Sequence, residues 1–206
     1  MKKLLSFIFI MFLLQNLAFT QQSDSLKTAL LIVDIQNFYF PGENGPGLVN
    51  AEAAGINAGE VLRLFREKKQ LVIHVRHKSK KGFEIHKNVE PLANEKVITK
   101  TEVNSFQGTD LLKYLRNNKV KRLVIIGMQT QMCLEAAVRA GFDYGFTCMV
   151  AEDACATRDL KFGDKTVKAQ DVHTSTLATF IDGGYAKVIT VEAFKAGQDK
   201  VLFQNW

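Results

Sequence analysis

The chain has 206 residues, 47% hydrophobic and 23% charged, with a formal net charge of +6. That length supports one well-buried domain, and a charge this mild, with no basic stripe or recognisable module, argues against a nucleic-acid binder. Three cysteines are too few and odd in number, so a disulfide-stapled scaffold is excluded and at least one thiol stays unpaired in a monomer.

Met1-Lys2-Lys3 opens the chain, an apolar run fills residues 4–14, and Ala18-Phe19-Thr20 leads into a polar stretch. This is the pattern of a secretory signal peptide, too short for a membrane span of about 20 residues. An uncleaved anchor or a buried first strand are the competing readings. Cleavage is expected near Thr20, with residues 1–20 the signal peptide, 21–27 a flexible leader and 28–206 a single domain. Losing Lys2 and Lys3 lowers the net charge to +4. The expected product is exported, in a bacterial periplasm, with no stable membrane anchor.

Residues 28–34 (TALLIVD) are short and apolar, the mark of a buried strand. A Gly/Pro-rich loop at 42–47 precedes a helix over 51–69, in which Ala54, Ala58, Val61, Leu62 and Phe65 recur at helical spacing. Residues 71–75 form a second strand, and 77–94 a long polar loop that, at this length, is a candidate for function. Its basic run at 77–81 reads as a solvated face. A third strand at 97–99 leads to a helix through Asn117, which Thr109 can cap. The fourth strand covers 120–126, and a helix over 131–140 is closed by Gly141. Residues 146–150 form the fifth strand, a long helix spans 166–181, and 187–190 supply the sixth. Strands that read as continuous apolar runs between helices specify an α/β, three-layer αβα domain. Its six-stranded, mostly parallel, doubly wound, Rossmann-like sheet places ligands at the carboxyl ends of the strands.

That edge carries three residues of interest. Asp34 ends the first strand, where a carboxylate needs a partner or a loop-capping role. Lys100 ends the third and, alone, fits an exposed lysine. Cys133 follows the fourth, either as a small buried apolar residue or as a thiol on the first turn of a helix, where the dipole lowers its pKa. Cys148 reads as inert core, and Cys155 is ambiguous. Each is weak alone; all three lie after different strands on one edge.

Three stretches then carry a resemblance: "ALLIVDIQNFYF" at 29–40, "VITKTEVNSFQGTDLLKYL" at 97–115, and "LVIIGMQTQMCLEAAVRAGFDYGFTCMVAEDACAT" at 123–157. The chain resembles the isochorismatase-like cysteine hydrolases, with wording closest to uncharacterised amide-cleaving members and the streptothricin-hydrolase-like group. The resemblance implies a catalytic triad of Asp34, Lys100 and Cys133. It implies a cis peptide at Met128-Gln129 that would aim the backbone N–H groups of Gln129 and Cys133 into an oxyanion hole. It also implies cleavage of a small-molecule amide, ureide or lactam through a thioester, without a cofactor, in a homo-oligomer of two or more subunits. Gln36, Phe40 and Phe106 follow motif positions and are expected to line the substrate pocket.

The metal-dependent nicotinamidase branch would carry an Asp-x-His motif with further histidines after the first strand. No histidine lies between Asp34 and Leu71, so no catalytic metal is expected. His74 reads as a satisfied core or loop-facing residue. The vinyl-ether-cleaving branch often dispenses with the cysteine, so Cys133 favours amide cleavage. Isochorismatase-type and nicotinamidase chemistry stay as alternatives, as does a catalytically idle, small-molecule-binding member. A dinucleotide-binding domain is disfavoured because the first strand leads into Asp34-Ile35-Gln36-Asn37 without a G-x-G-x-x-G turn.

Overall fold

The computed structural model describes residues 27–42 and 45–198. The expected signal peptide, and all but the last residue of the leader, lie outside the described residues. Among the described residues, no helix is long and apolar enough to cross a membrane.

Six strands, β1 (Lys27–Val33), β2 (Leu71–His77), β3 (Lys96–Lys100), β4 (Val120–Met128), β5 (Thr147–Ala156) and β8 (Lys187–Ile189), form one sheet in the order β3-β2-β1-β4-β5-β8. Every pairing in it is parallel. The order reverses between β1 and β4, so a crevice opens at their carboxyl ends.

β1 shows why the strands read as unbroken apolar runs. Ala29, Leu31 and Val33 join a core with Leu111 and Leu115 of α2 (Leu111–Asn117), Ala137 of α3 (Glu135–Asp143), and Leu177 and Phe180 of α4 (Ala169–Asp182). The alternate residues Leu30 and Ile32 pack on the other face with Ala58, Val61 and Phe65 of α1 (Ala51–Glu67) and Phe194 of α5 (Val191–Lys195). Each fully buried aliphatic chain contributes about 1.5–3 kcal/mol, so both helical layers are needed.

Three elements depart from the sequence reading. β5 runs on to Ala156 because a register shift lets Gly127 and Met128 of β4 pair with Cys155 and Ala156 after Ile125 has paired with Val150. The helix expected over 131–140 begins as a π-helical turn at Thr130–Leu134 and continues past Gly141 to Asp143. Gly141 lies inside it because a Cβ there would come 3.0 Å from Cys148 Sγ, so glycine lets helix and strand pack closely. The helix expected from 166 begins at Ala169, after an antiparallel hairpin of β6 (Leu160–Phe162) and β7 (Lys165–Val167). Asp159 fixes the start by accepting the Ala169 N–H at 2.8 Å through Oδ1.

Residues 78–95 are held down. Gln36 accepts the His77 N–H at 2.7 Å through Oε1, and its Nε2 donates to the His77 and Phe83 carbonyls at 3.0 and 2.8 Å. At the far end, Glu95 pairs with Arg66 at 2.8 Å, accepts the Leu92 N–H, and meets His74 Nε2 at 2.9 Å. His74 is therefore a core histidine with one ring nitrogen satisfied, while its Nδ1 has no hydrogen-bond partner among the described residues.

Burial alone would raise the Glu95 carboxyl, but Arg66, the Leu92 N–H and His74 hold it at about 2. A carboxyl with a depressed folded pKa stabilises the fold above its unfolded value of about 4.3, and that stabilisation is lost as pH falls toward 2. Glu95→Gln is expected to cost roughly 2–3 kcal/mol at neutral pH. It should also flatten the stability slope between those two pH values. Urea unfolding at several pH values, followed by circular dichroism, checks both; an unchanged slope would refute the assignment.

Candidate active site

The crevice at the carboxyl ends of β1, β3 and β4 brings Asp34, Lys100 and Cys133 together. Asp34 follows β1 in the left-handed backbone region (φ 53), a conformation Asp tolerates better than most residues. Its amide donates to the Val75 carbonyl at 2.9 Å. Lys100 is the last residue of β3, and its register partner on β2 is His77. Cys133 sits in the π-helical turn, 5% exposed.

The Lys100 ammonium is the hub. Its Nζ lies 2.8 Å from Asp34 Oδ2, 3.2 Å from Cys133 Sγ, 3.1 Å from His77 Nδ1 and 3.0 Å from the Glu102 carbonyl oxygen. Both ends of the Asp34–Lys100 pair are buried. At 2.8 Å the Asp34–Lys100 contact is a close, buried ion pair. Desolvation makes a carboxylate a stronger base. Burial pushes the Asp34 carboxyl up, against the opposing pull of Lys100.

Cys133 corrects the expectation of a lowered thiol. Burial first, then the Asp34 charge, push it up to about 12, outweighing the attraction of Lys100. The helix start cannot offset this, because the thiol lies in the buried crevice beside a carboxylate. The resting nucleophile candidate is a thiol beside a base. No disulfide forms among the described cysteines: Cys133, Cys148 and Cys155 are all free and buried. Burial raises the last two to about 12, and their Sγ atoms face backbone carbonyls.

The Met128–Gln129 peptide is cis. Around the turn that follows, Gln129 Oε1 accepts from Gln131 Nε2 and Arg158 Nε, each at 3.3 Å. Thr130 Oγ1 meets His173 Nδ1 at 2.9 Å and the Ala156 carbonyl at 3.3 Å. A cavity of about 570 Å³ opens behind the turn between α1 and α4, lined in part by Cys155, Thr157 and His173. Asp34, Lys100 and Cys133 do not line it.

The three expected pocket residues fall differently. Gln36 is wholly buried with both amide protons engaged, so it braces the loop. Phe40 stacks on His86 at 3.5 Å between ring centroids and belongs to the core facing α1. Phe106 is 6% exposed and shares a core cluster with Cys133, so it backs the site. Two residues that sequence reasoning passed over stand beside the triad. His77 touches Lys100, and the Tyr39 hydroxyl is raised by burial and by its closeness to Cys133 and Asp34. The signal for His77 was present, since "HVRH" and "VITK" end neighbouring parallel strands.

Among the described residues, Asp34, His77 and Cys133 place metal-ligating atoms within 4.8 Å of one another. The Lys100 ammonium already lies within 3.2 Å of an atom of each and supplies positive charge at that point.

A family model, Isochorismatase domain, matches residues 28–191. The isochorismatase family protein YddQ of Bacillus subtilis is 44% identical over 181 residues, covering 82% of this chain and 99% of that one. A candidate isochorismatase hydrolase from Oleispira antarctica superposes with a TM-score of 0.79 at 38% identity, over 85% of this chain and 99% of the other. More distant matches include streptothricin hydrolase of Streptomyces noursei, 29% identical over 64% of this chain and 55% of its own length. Ureidoacrylate amidohydrolase RutB of Acinetobacter baylyi is 28% identical over 62% and 54%.

Proposed function

This chain belongs to the isochorismatase family of hydrolases, and we propose that within it the protein cleaves the C–N bond of a small amide, ureide or lactam, with Cys133 as nucleophile. The observation that carries the reading is the buried cluster in which one ammonium lies 2.8 Å from the Asp34 carboxylate and 3.2 Å from the Cys133 sulfur. The amidohydrolase and streptothricin hydrolase among its relatives support the choice of bond.

In this reading Asp34 takes the thiol proton as Sγ attacks the carbonyl carbon and the C–S bond forms. Lys100 holds the negative charge passed between carboxylate and sulfur. The oxyanion rests against the Gln129 and Cys133 backbone N–H groups. Asp34 then gives its proton to the departing nitrogen as the C–N bond breaks, leaving a thioester. Asp34 next deprotonates a water that attacks the thioester carbon; the C–S bond breaks and the thiol regains its proton.

The test is a panel of small primary amides, ureides and lactams, assayed for ammonia released or amine newly formed, and for an acyl adduct on Cys133 by mass spectrometry after acid quench. An adduct on Cys133 with a turned-over substrate is the expected result. Turnover with every thiol unmodified throughout would reject the scheme.

A further inference from the structure

Arg158 stands beside the catalytic turn with most of its donors unused. Its Nε donates to Gln129 Oε1 at 3.3 Å, and among the described residues it makes no other hydrogen bond and no ion pair. The acid next to it in the chain, Asp159, is already committed to Lys168 Nζ at 2.9 Å and to the Ala169 N–H at 2.8 Å. The protons on both terminal nitrogens of the guanidinium therefore have no acceptor among the described residues.

The turn that carries the nucleophile sets where that free edge lies. Gln129 follows the cis peptide, and its backbone N–H is one of the two donors assigned above to the oxyanion. Its side-chain oxygen accepts from Arg158 and from Gln131, so the guanidinium is tied to the same residue that would hold the reacting carbonyl. The anchor is buried, with Gln129 7% exposed, while Arg158 itself reaches solvent. The Tyr39 hydroxyl lies close enough to Cys133, to Asp34 and to Arg158 to feel the charge of each. Lys100 is neutralised by its buried 2.8 Å contact with Asp34, whereas Arg158 has no such counter-charge.

We propose that Arg158 is a specificity-determining residue that grips a substrate carboxylate, so that the amide or ureide cleaved here is an anionic one. This deepens, and rests on, the reading of Cys133 as the nucleophile of this crevice. An arginine held through Nε presents its terminal nitrogens as a planar fork, the geometry that takes a carboxylate in parallel hydrogen bonds. An exposed ion pair between surface side chains contributes little. A substrate carboxylate is different, because it enters a walled crevice and meets a guanidinium already oriented by a buried amide.

The experiment uses two matched pairs of thiol probes: iodoacetate against iodoacetamide, and N-iodoacetylglycine against N-iodoacetylglycinamide. Within a pair only the charge changes appreciably; between pairs the carboxylate moves outward from the reacting carbon. Labelling of Cys133 is followed by peptide mass spectrometry at neutral pH in wild type, Arg158→Gln and Arg158→Lys, with folding checked by circular dichroism. Each rate is divided by the rate of the same probe with N-acetylcysteinamide, which removes intrinsic reactivity. For at least one pair, the anionic probe is expected to label wild-type Cys133 roughly 10-fold faster than its neutral partner. Arg158→Gln should collapse that ratio to about 1, and Arg158→Lys should keep part of it. A residue that merely braced Gln129 would alter both probes alike and leave the ratio standing. No charge preference in wild type, or one that survives in Arg158→Gln, overturns the proposal. If no probe labels Cys133, calorimetric titration with N-acetylglycine and N-acetylglycinamide replaces labelling, and N-acetylglycine binding no tighter than its amide overturns it equally. Labelling without charge preference sinks this assignment alone, since the acyl adduct on Cys133 decides the amide-hydrolase reading.

Discussion

Turnover of any amide accepted by wild type is expected to fall roughly 10³-fold or more in Cys133→Ala, with the fold retained. The loss is large because no other thiol can substitute. Cys148 is wholly buried against α3, with its Sγ toward the Phe146 carbonyl, and Cys155 donates to the Ala151 carbonyl at 3.2 Å. The fold survives because the change removes a single buried atom, at a cost on the order of 1 kcal/mol. Since the resting thiol sits at about 12, thiolate is scarce at neutral pH and attack must be coupled to proton transfer onto Asp34. Ammonia release measured beside a circular dichroism melt decides the matter. An alanine variant that turns over at close to the wild-type rate, while folded, would remove Cys133 from the chemistry.

The second large effect is on the scaffold. Gly127 has φ 144, and a Cβ there would lie 2.0 Å from the Val33 carbonyl oxygen. Val33 immediately precedes Asp34, and Gly127 immediately precedes the cis peptide, so the two halves of the crevice meet at this contact. The offending atom is backbone in the central strand pair and cannot swing aside. Gly127→Ala is expected to destabilise the protein by roughly 3 kcal/mol or more, lowering the melting temperature by about 6–12 °C. Gly163→Ala is the control. It also has a positive φ (61), yet among the described residues nothing lies within 4 Å of its added Cβ, so its cost is limited to about 1 kcal/mol. Comparable melts for the two variants would show that the close approach is not what matters.

Much of this was readable in the residues because burial and periodicity are local signals. The β1 run, the α1 spacing and the positions of Asp34 and Lys100 at strand ends all follow from an apolar segment meeting its first polar residue. What was not readable depends on register and on competition between partners. The length of β5 is set by a shift against β4 that no local pattern encodes. Only Thr166 and Val167 of the Leu160–Val167 hairpin were expected in the helix. The Lys-Phe-Gly-Asp-Lys turn and the capping oxygen of Asp159 overrule that expectation. Gln36 and Phe40 were placed by motif, yet the structure spends one on bracing a loop and the other on stacking with His86. The thiol misled for a related reason: a helix start favours thiolate, but desolvation beside a carboxylate acts on the same atom and is larger.

The meeting of four atoms around one nitrogen also fixes which cation the crevice can use. Carboxylate, loop carbonyl, imidazole and thiol approach Lys100 Nζ within 2.8–3.2 Å, a crowd that a compact ammonium with rotatable protons can enter. A guanidinium spreads five protons in one plane and is built to grip a carboxylate with two of them. In this crevice an arginine would grip the Asp34 carboxylate through both oxygens, whereas the ammonium meets Oδ2 at 2.8 Å. The compact ammonium therefore occupies less of the base than a guanidinium would.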